Sequence, residues 1–355
     1  MAKYDFMSFG EPNIRMTPPD HDRLGQSDEL RLGIAAAELN CCVNISNLSV
    51  ERLLPTMKTA YVTKLVDNWT GRYIVTRAMM YGVDMSNVAV EAFDKVGRTR
   101  NGLAFVELGV GPRPSYQIYD RGHSALSKIQ PGDIDWKRVL DTRWFHTTGI
   151  VTALGEHTAG EVYAALRAAK ENGATTSYDI NYRSTLWSLE DARAAILKLL
   201  PYVDVLFGGV EDFAAMFGIH PAAPAGDGLD GALKAYESAA AQVLERYPNL
   251  TATATSLRCV QSALLNDLQG CMMTREGLAA SRLYRNVEIN DRIGGGDSFA
   301  SGLIWSLLNG HETQRSVDFA AAYSVLCHTI RNDWNLATRE ETEHLAAGGS
   351  ARVQR

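Results

Sequence analysis

The sequence predicts an α/β fold built on a mostly parallel sheet, and three observations predict it. Short β-like runs alternate with longer amphipathic stretches along most of the chain. Several of those stretches stop at a glycine, as at Gly82, Gly173 and Gly310. The chain has 355 residues, 46% apolar and 21% charged, enough to bury a large core without covalent staples.

The elements follow in order. KYDFMSFG closes a first strand at Met7 to Gly10. Residues 31–48, RLGIAAAELNCCVNISNL, carry Ala, Leu, Val and Ile at helical spacing and read as a helix. YVTKLV (61–66) reads as a strand and RYIVTRAMMYG (72–82) as a helix. WFHTTGI (144–150) is a strand, 156–173 an amphipathic helix, TTSYDINY (175–182) a strand and 189–203 a helix. VDVLFGG (203–209) is again a strand, before a short helix in EDFAAMFG. Two segments break the rhythm. Residues 11–30 are polar and hold Pro12, Pro18 and Pro19. In 99–122, LAFVEL and YQIYD flank GVGPRP, which reads as a hairpin set outside the alternation and suited to covering a cleft. Core therefore falls to 1–10, 31–98 and 125–345, and a β lid to 11–30 and 99–124. Residues 221–231 read as a surface loop and 346–355 as a loosely held tail.

Composition removes several functions. Lys plus Arg is 35 against 41 Asp plus Glu, a net charge of -6, which offers no basic field for nucleic acid. No run approaches the roughly 18 apolar residues of a membrane span, and no apolar leader opens the chain. A cytoplasmic location is the expectation. The five cysteines, Cys41, Cys42, Cys259, Cys271 and Cys327, meet no zinc or redox spacing and read as reduced and mostly buried.

The chemistry concentrates in NDRIGGGDSFASGLIWSLLNG (290–310). Gly294, Gly295 and Gly296 precede Asp297, and Phe299, Ala300, Leu303, Ile304, Leu307 and Leu308 then recur on one helical face. Glycines at a helix start let backbone N–H groups close on an anion, where the helix dipole also favours negative charge. Asp297, in the first turn beside that hole, is placed to take the proton of an attacking hydroxyl. The Gly-Lys-Ser/Thr ending of a Walker A loop is missing, and a Rossmann fingerprint would not lie this near the C-terminus.

IGGGDSFASG resembles the G-A-G-D signature of the ribokinase-like (PfkB) sugar kinases. YDINYRSTLW (178–187) is similar to the D-x-N-Y-R-x-x-L-W segment of 2-keto-3-deoxygluconate kinases, and RPSYQIYDRGHSALS (113–127) to their Y-x-R-x-x-S-A lid segment. GEPNIRMTPPDHDRLGQSD (10–28), WFHTTGI and AAAYSVLCHTI (320–330) extend the resemblance over nearly the whole chain. It implies a three-layer α/β sandwich with a small β lid, and phosphorylation of 2-keto-3-deoxy-D-gluconate or a close sugar acid by ATP with Mg²⁺. It implies Asp297 as base and Gly294 to Gly296 as anion hole, with Gly294, Gly296 and Arg258 toward the nucleotide. Ala36, Asn40, Tyr119, Arg121, Ile150 and Arg183 would meet the substrate, and Asp212 the metal shell. Lids of this family often pair two chains, which implies a homo-oligomer. Arginines suit a sugar acid, because guanidinium forks bind carboxylates.

The chain also departs from the family pattern. Ala36 stands where a glycine is usual in G-G-A-E-x-N, and Ala104 where a lid tyrosine is usual. In FGGVED, Gly209 stands where the N-x-x-E motif has Asn, with Asp212 at its acidic position.

Overall fold

The computed structural model describes residues 2–222 and 226–349. An eleven-stranded sheet forms the middle layer. Its central run, Ala252–Ser262, Val205–Phe207, Thr175–Asp179, Thr142–Thr148, Tyr4–Phe9 and Thr59–Asp67, is parallel throughout. Leu265–Thr274 returns antiparallel to Ala252–Ser262 and carries Gly277–Ala280 and Tyr284–Glu288.

Both faces of the sheet are covered, as the unbroken apolar strands demand. Successive residues point to opposite sides. Met7, Phe145 and Leu206 enter one core, with the helices Glu156–Glu171, Leu189–Leu199, Val210–Phe217 and Gly228–Arg246. Phe6, Trp144 and Phe207 enter the other, with Ala37–Leu48, Trp69–Met80, Gly295–Leu308 and Thr313–Cys327. The three-layer expectation is met, and no helix among the described residues is long and apolar enough to cross a membrane.

A second sheet of four strands stands apart, in the order Tyr116–Asp120, Gly102–Glu107, Asn13–Thr17, Arg31–Ala35. The predicted hairpin supplies its outer antiparallel pair. Its other half corrects the sequence reading. Residues 31–35 are a strand, and the helix starts only at Ala37. Leu32 and Ile34 alternate with Arg31 and Gly33 in register with Met16 and Ile14, and this pairing overrides the helical spacing. The small sheet thus runs to Ala35, so 31–35 leave the core assignment.

The smaller corrections concern where elements begin and end. The strand Thr142–Thr148 stops before Gly149, and Thr148 caps a helical turn that contains Ile150. Strand 175–182 shortens to Thr175–Asp179, and helix 189–203 ends at Leu199 before a 3₁₀ turn. In the proposed 221–231 loop, the helix already begins at Gly228, while 223–225 lie outside the described residues. Residues 350–355 of the tail lie outside them too.

Candidate active site

The parallel strands end on one side of the sheet, where ligands of open α/β folds bind. There the strand ends and the small sheet enclose a cleft of about 480 Å³. All the predicted site residues line it: Ala36, Asn40, Tyr119, Arg121, Ile150, Arg183, Asp212, Arg258, Gly294, Gly295, Gly296 and Asp297.

The three glycines differ in what requires them. Gly294 caps the Gly295–Leu308 helix at φ 83°, a left-handed conformation that side chains resist. A Cβ there would lie 2.3 Å from the Asp333 carbonyl oxygen. A Cβ on Gly295 would lie 2.4 Å from the His328 ring, whereas one on Gly296 would meet nothing within 4 Å. So two glycines pack the loop down, and the third leaves the helix start open to the cleft. Asp297 follows, and Asn40 Nδ2 donates to its Oδ2 at 2.6 Å. Burial pushes the Asp297 carboxyl upward, opposed by that hydrogen bond and by the Arg183 charge.

Other acids crowd the same wall. Asp179, at the end of its strand, is pushed up to about 8 by burial and then by Asp297 and Asp212. Asp212 is raised by burial, and its Oδ2 accepts from the Gly209 N–H at 2.9 Å. Glu38 is pushed up to about 7, chiefly by burial, while its Oε1 accepts from Thr148 Oγ1 at 2.5 Å. Burial favours the uncharged form of each carboxyl, and a nearby cation would oppose it. Among the described residues, no group of three His, Cys, Asp or Glu is spaced to hold a metal alone. The residues fit an ion held mostly by phosphate oxygens and water, as Mg²⁺ usually is.

The two arginines differ in their surroundings. Arg121 has a carboxylate partner within the protein. Its Nε lies 3.3 Å from Glu11 Oε2, and its guanidinium lies 4.0 Å from the Tyr119 ring centroid. Glu11 is buried in the connection between Tyr4–Phe9 and Asn13–Thr17 and also accepts from Ser124, so the lid arginine is fixed from below. Arg183 is exposed at the rim, with one hydrogen bond, to the Tyr182 carbonyl at 3.1 Å.

The departures resolve unevenly. Ala36 has φ -165°, extended backbone that any residue adopts, so the methyl adds no strain. Ala104 is fully buried opposite Tyr119 and Arg15 and opens no space in the cleft. Gly209 leaves room: a Cβ there would meet only Asp212 and Thr255, at 3.8 Å. All five cysteines are free, and four are buried.

Four residues in or behind the cleft escaped the sequence reading. Asp179 sits inside the quoted DINYR run, and Glu38 is an acid inside an apolar helix, which was a signal. Arg292, two residues before the glycines, lines the cleft. Arg15, in the polar lead-in, gave no signal.

The comparisons with known proteins agree with this geometry. Residues 4–334 match the pfkB family carbohydrate kinase pattern. The 2-dehydro-3-deoxygalactonokinase of Haloferax volcanii is 30% identical over 354 residues, 99% of each chain. The 2-dehydro-3-deoxygluconokinase of Thermoproteus tenax is 26% identical, over 94% of this chain and 90% of its own. The crystal structure of the 2-dehydro-3-deoxygluconokinase of Thermotoga maritima superposes with a TM-score of 0.88 at 34% identity, covering 97% of this chain and 100% of that one. A glycine loop, a recessed aspartate at its helix and an end-to-end family match lead to one conclusion: the chain belongs to the pfkB family of carbohydrate kinases and is a phosphotransferase.

Proposed function

We propose that this kinase transfers the γ-phosphoryl group of ATP to the terminal hydroxyl of 2-keto-3-deoxy-D-gluconate or its galactonate epimer, giving the 6-phosphate and ADP. The observation that carries the reading is Asp297, held by Asn40 directly beside an open glycine loop, in a cleft that also presents Arg121 and Arg183. The names of the similar enzymes from Haloferax, Thermoproteus and Thermotoga support the substrate class.

The chain's own residues divide the work. Asp297 accepts the proton of the attacking hydroxyl, and its upward shift makes it a better base than an exposed aspartate. Asn40 orients the carboxylate, so the reacting oxygen meets a fixed acceptor. The free N–H groups of the first helical turn face the transferring phosphoryl group, unobstructed at Gly296. Tyr119 and Arg121 on the lid and Arg183 opposite hold the acid, with Ala36 and Ile150 as apolar walls. Mg²⁺, when bound, neutralises phosphate charge, with Asp212 on its water shell. The test is coupled ADP release with the gluconate and galactonate epimers. Turnover of at least one is expected, and turnover of neither would remove the reading.

The lid also suggests assembly. Ile118, Phe105, Met16 and Leu32 form one cross-strand row of the small sheet; Met16 packs against the main core, while Ile118 and Leu32 are each 43% exposed. We assign a second copy of the chain to this face. Ile118→Glu should then shift the sedimenting species to half mass.

A further inference from the structure

We infer that Arg15 is a positioning residue for phosphoryl transfer: acting through Asp291 and Asp333, it sets the glycine loop from the lid side. The inference rests on the proposed reaction and adds to it a residue that does not line the cleft.

The glycine loop cannot hold its own shape. Gly294, Gly295 and Gly296 bring no side chains, and glycine loses the most conformational freedom when it is ordered. The loop geometry is therefore set by its flanks. From the core side, Ser324 Oγ donates to the Gly295 carbonyl at 2.8 Å, and the Asn290 N–H donates to the His328 carbonyl at 2.7 Å. On the lid side the flanks are Asp291 and Asp333. Asp291 Oδ1 accepts from the Ile293 N–H, just before the glycines, and its Oδ2 accepts from the Asn332 N–H, both at 3.1 Å. Asp333 sets its carbonyl against Gly294. Asn332, just before it, has φ 74°, a left-handed conformation that its surroundings must impose.

One guanidinium joins both flanks to the small sheet. Arg15 Nη2 donates to Asp291 Oδ2 at 2.6 Å, Nη1 to Asp333 Oδ1 at 2.7 Å, and Nε to Thr17 Oγ1 at 3.0 Å. Its side chain is wholly buried. Three donor directions fixed in one plane make the arginine a template, which an ammonium on a flexible stem is not. Without a cation between them the two carboxylates would repel, so the spacing of the flanks depends on Arg15. The loop N–H groups matter most as charge moves onto the transferring phosphoryl group. Misplacing them by about 1 Å therefore costs the transition state more than the bound reactants.

The experiment compares Arg15→Lys and Arg15→Met with the parent, as full-length proteins, well below their melting temperatures. Calorimetric titration with ADP counts the binding-competent molecules and gives the ADP affinity. A second titration uses ADP, Mg²⁺ and aluminium fluoride with the sugar acid, a mimic of the phosphoryl group in transfer. We expect kcat per competent molecule to fall by about 100-fold in Arg15→Met and by about tenfold in Arg15→Lys. KM for the acid and Kd for ADP should stay within about threefold of the parent, while the mimic weakens in step with kcat. A merely structural arginine would leave kcat per competent molecule at the parent value, and that result overturns the role. Equal losses of kcat, ADP affinity and acid affinity overturn it too. Arg15→Lys keeps the charge that the carboxylates need, so it carries the test where Arg15→Met does not fold. A parent that phosphorylates neither epimer would instead remove the proposed reaction, and the role with it.

Discussion

Asp333 and Arg15 lie 2.7 Å apart at full burial, although 318 residues separate them in sequence. Arg15 belongs to the small sheet, and Asp333 packs its carbonyl against Gly294. The same guanidinium reaches Asp291, whose Oδ1 accepts from the Ile293 N–H at 3.1 Å, and its Nε donates to Thr17. One cation thus ties the lid to both segments that bracket the glycine loop.

Removing that cation while keeping its bulk leaves two buried carboxylates unpaired. Arg15→Met should destabilise the fold by about 3–5 kcal/mol, the usual result of breaking a buried pair from one side. Urea unfolding measures it. A loss under about 1 kcal/mol would mean the pair is bystander charge.

The base is tested by a substitution that keeps shape. Asp297→Asn can still accept a hydrogen bond from Asn40 but cannot take a proton. We expect kcat to fall by about 10²–10⁴, with nucleotide affinity nearly unchanged. Turnover within a few-fold of the parent would remove Asp297 from the chemistry.

The glycines should separate into two kinds. Gly296→Val places its side chain in open space, so the melting temperature should hold while ATP turnover is lost. Gly294→Ala meets both a positive φ and the Asp333 carbonyl, so it should lower stability by about 1–3 kcal/mol or more. Equal melting temperatures for the two variants would contradict the loop geometry.

Acid stability should carry an unusual sign. Glu38 is neutral in the fold up to about 7, against an ordinary value of 4.5. Between those values the folded state binds more protons than the unfolded chain, so stability falls as pH rises. Burial similarly holds Asp179 up to about 8, extending the fall. Glu38→Gln keeps an acceptor for Thr148 and cannot ionise. It should match the parent near pH 5 and exceed it near pH 8, by up to about 3 kcal/mol. Parallel pH profiles for the two proteins would show that Glu38 is charged throughout.

What the sequence made legible was local. Gly294 to Asp297 sit in one run, and the apolar face behind them marks the helix. The alternation of strands and helices shows at their spacing, because each buries its own face. What stayed hidden depends on partners far away in the chain. Residues 31–35 became a strand because Asn13–Thr17 lies beside them, and neither segment carries that fact alone. Arg15 looked like one charge in a polar segment until Asp291 and Asp333 closed on it. Arg121 read only as a substrate-facing lid residue, and its partner Glu11 lies 110 residues earlier in the chain, just after the first strand.

The central claim is that the acceptor is a sugar acid, and matched neutral and acidic sugars test it most directly. The measurement is kcat/KM for a 2-keto-3-deoxy acid and for its neutral counterpart, in the parent and in Arg183→Leu. The acid should be favoured by the parent, and Arg183→Leu should raise KM for the acid far more than for ATP, because the rim guanidinium forms no close ion pair with a described carboxylate and is left to meet the substrate's. A neutral sugar with the higher kcat/KM in the parent would contradict the account.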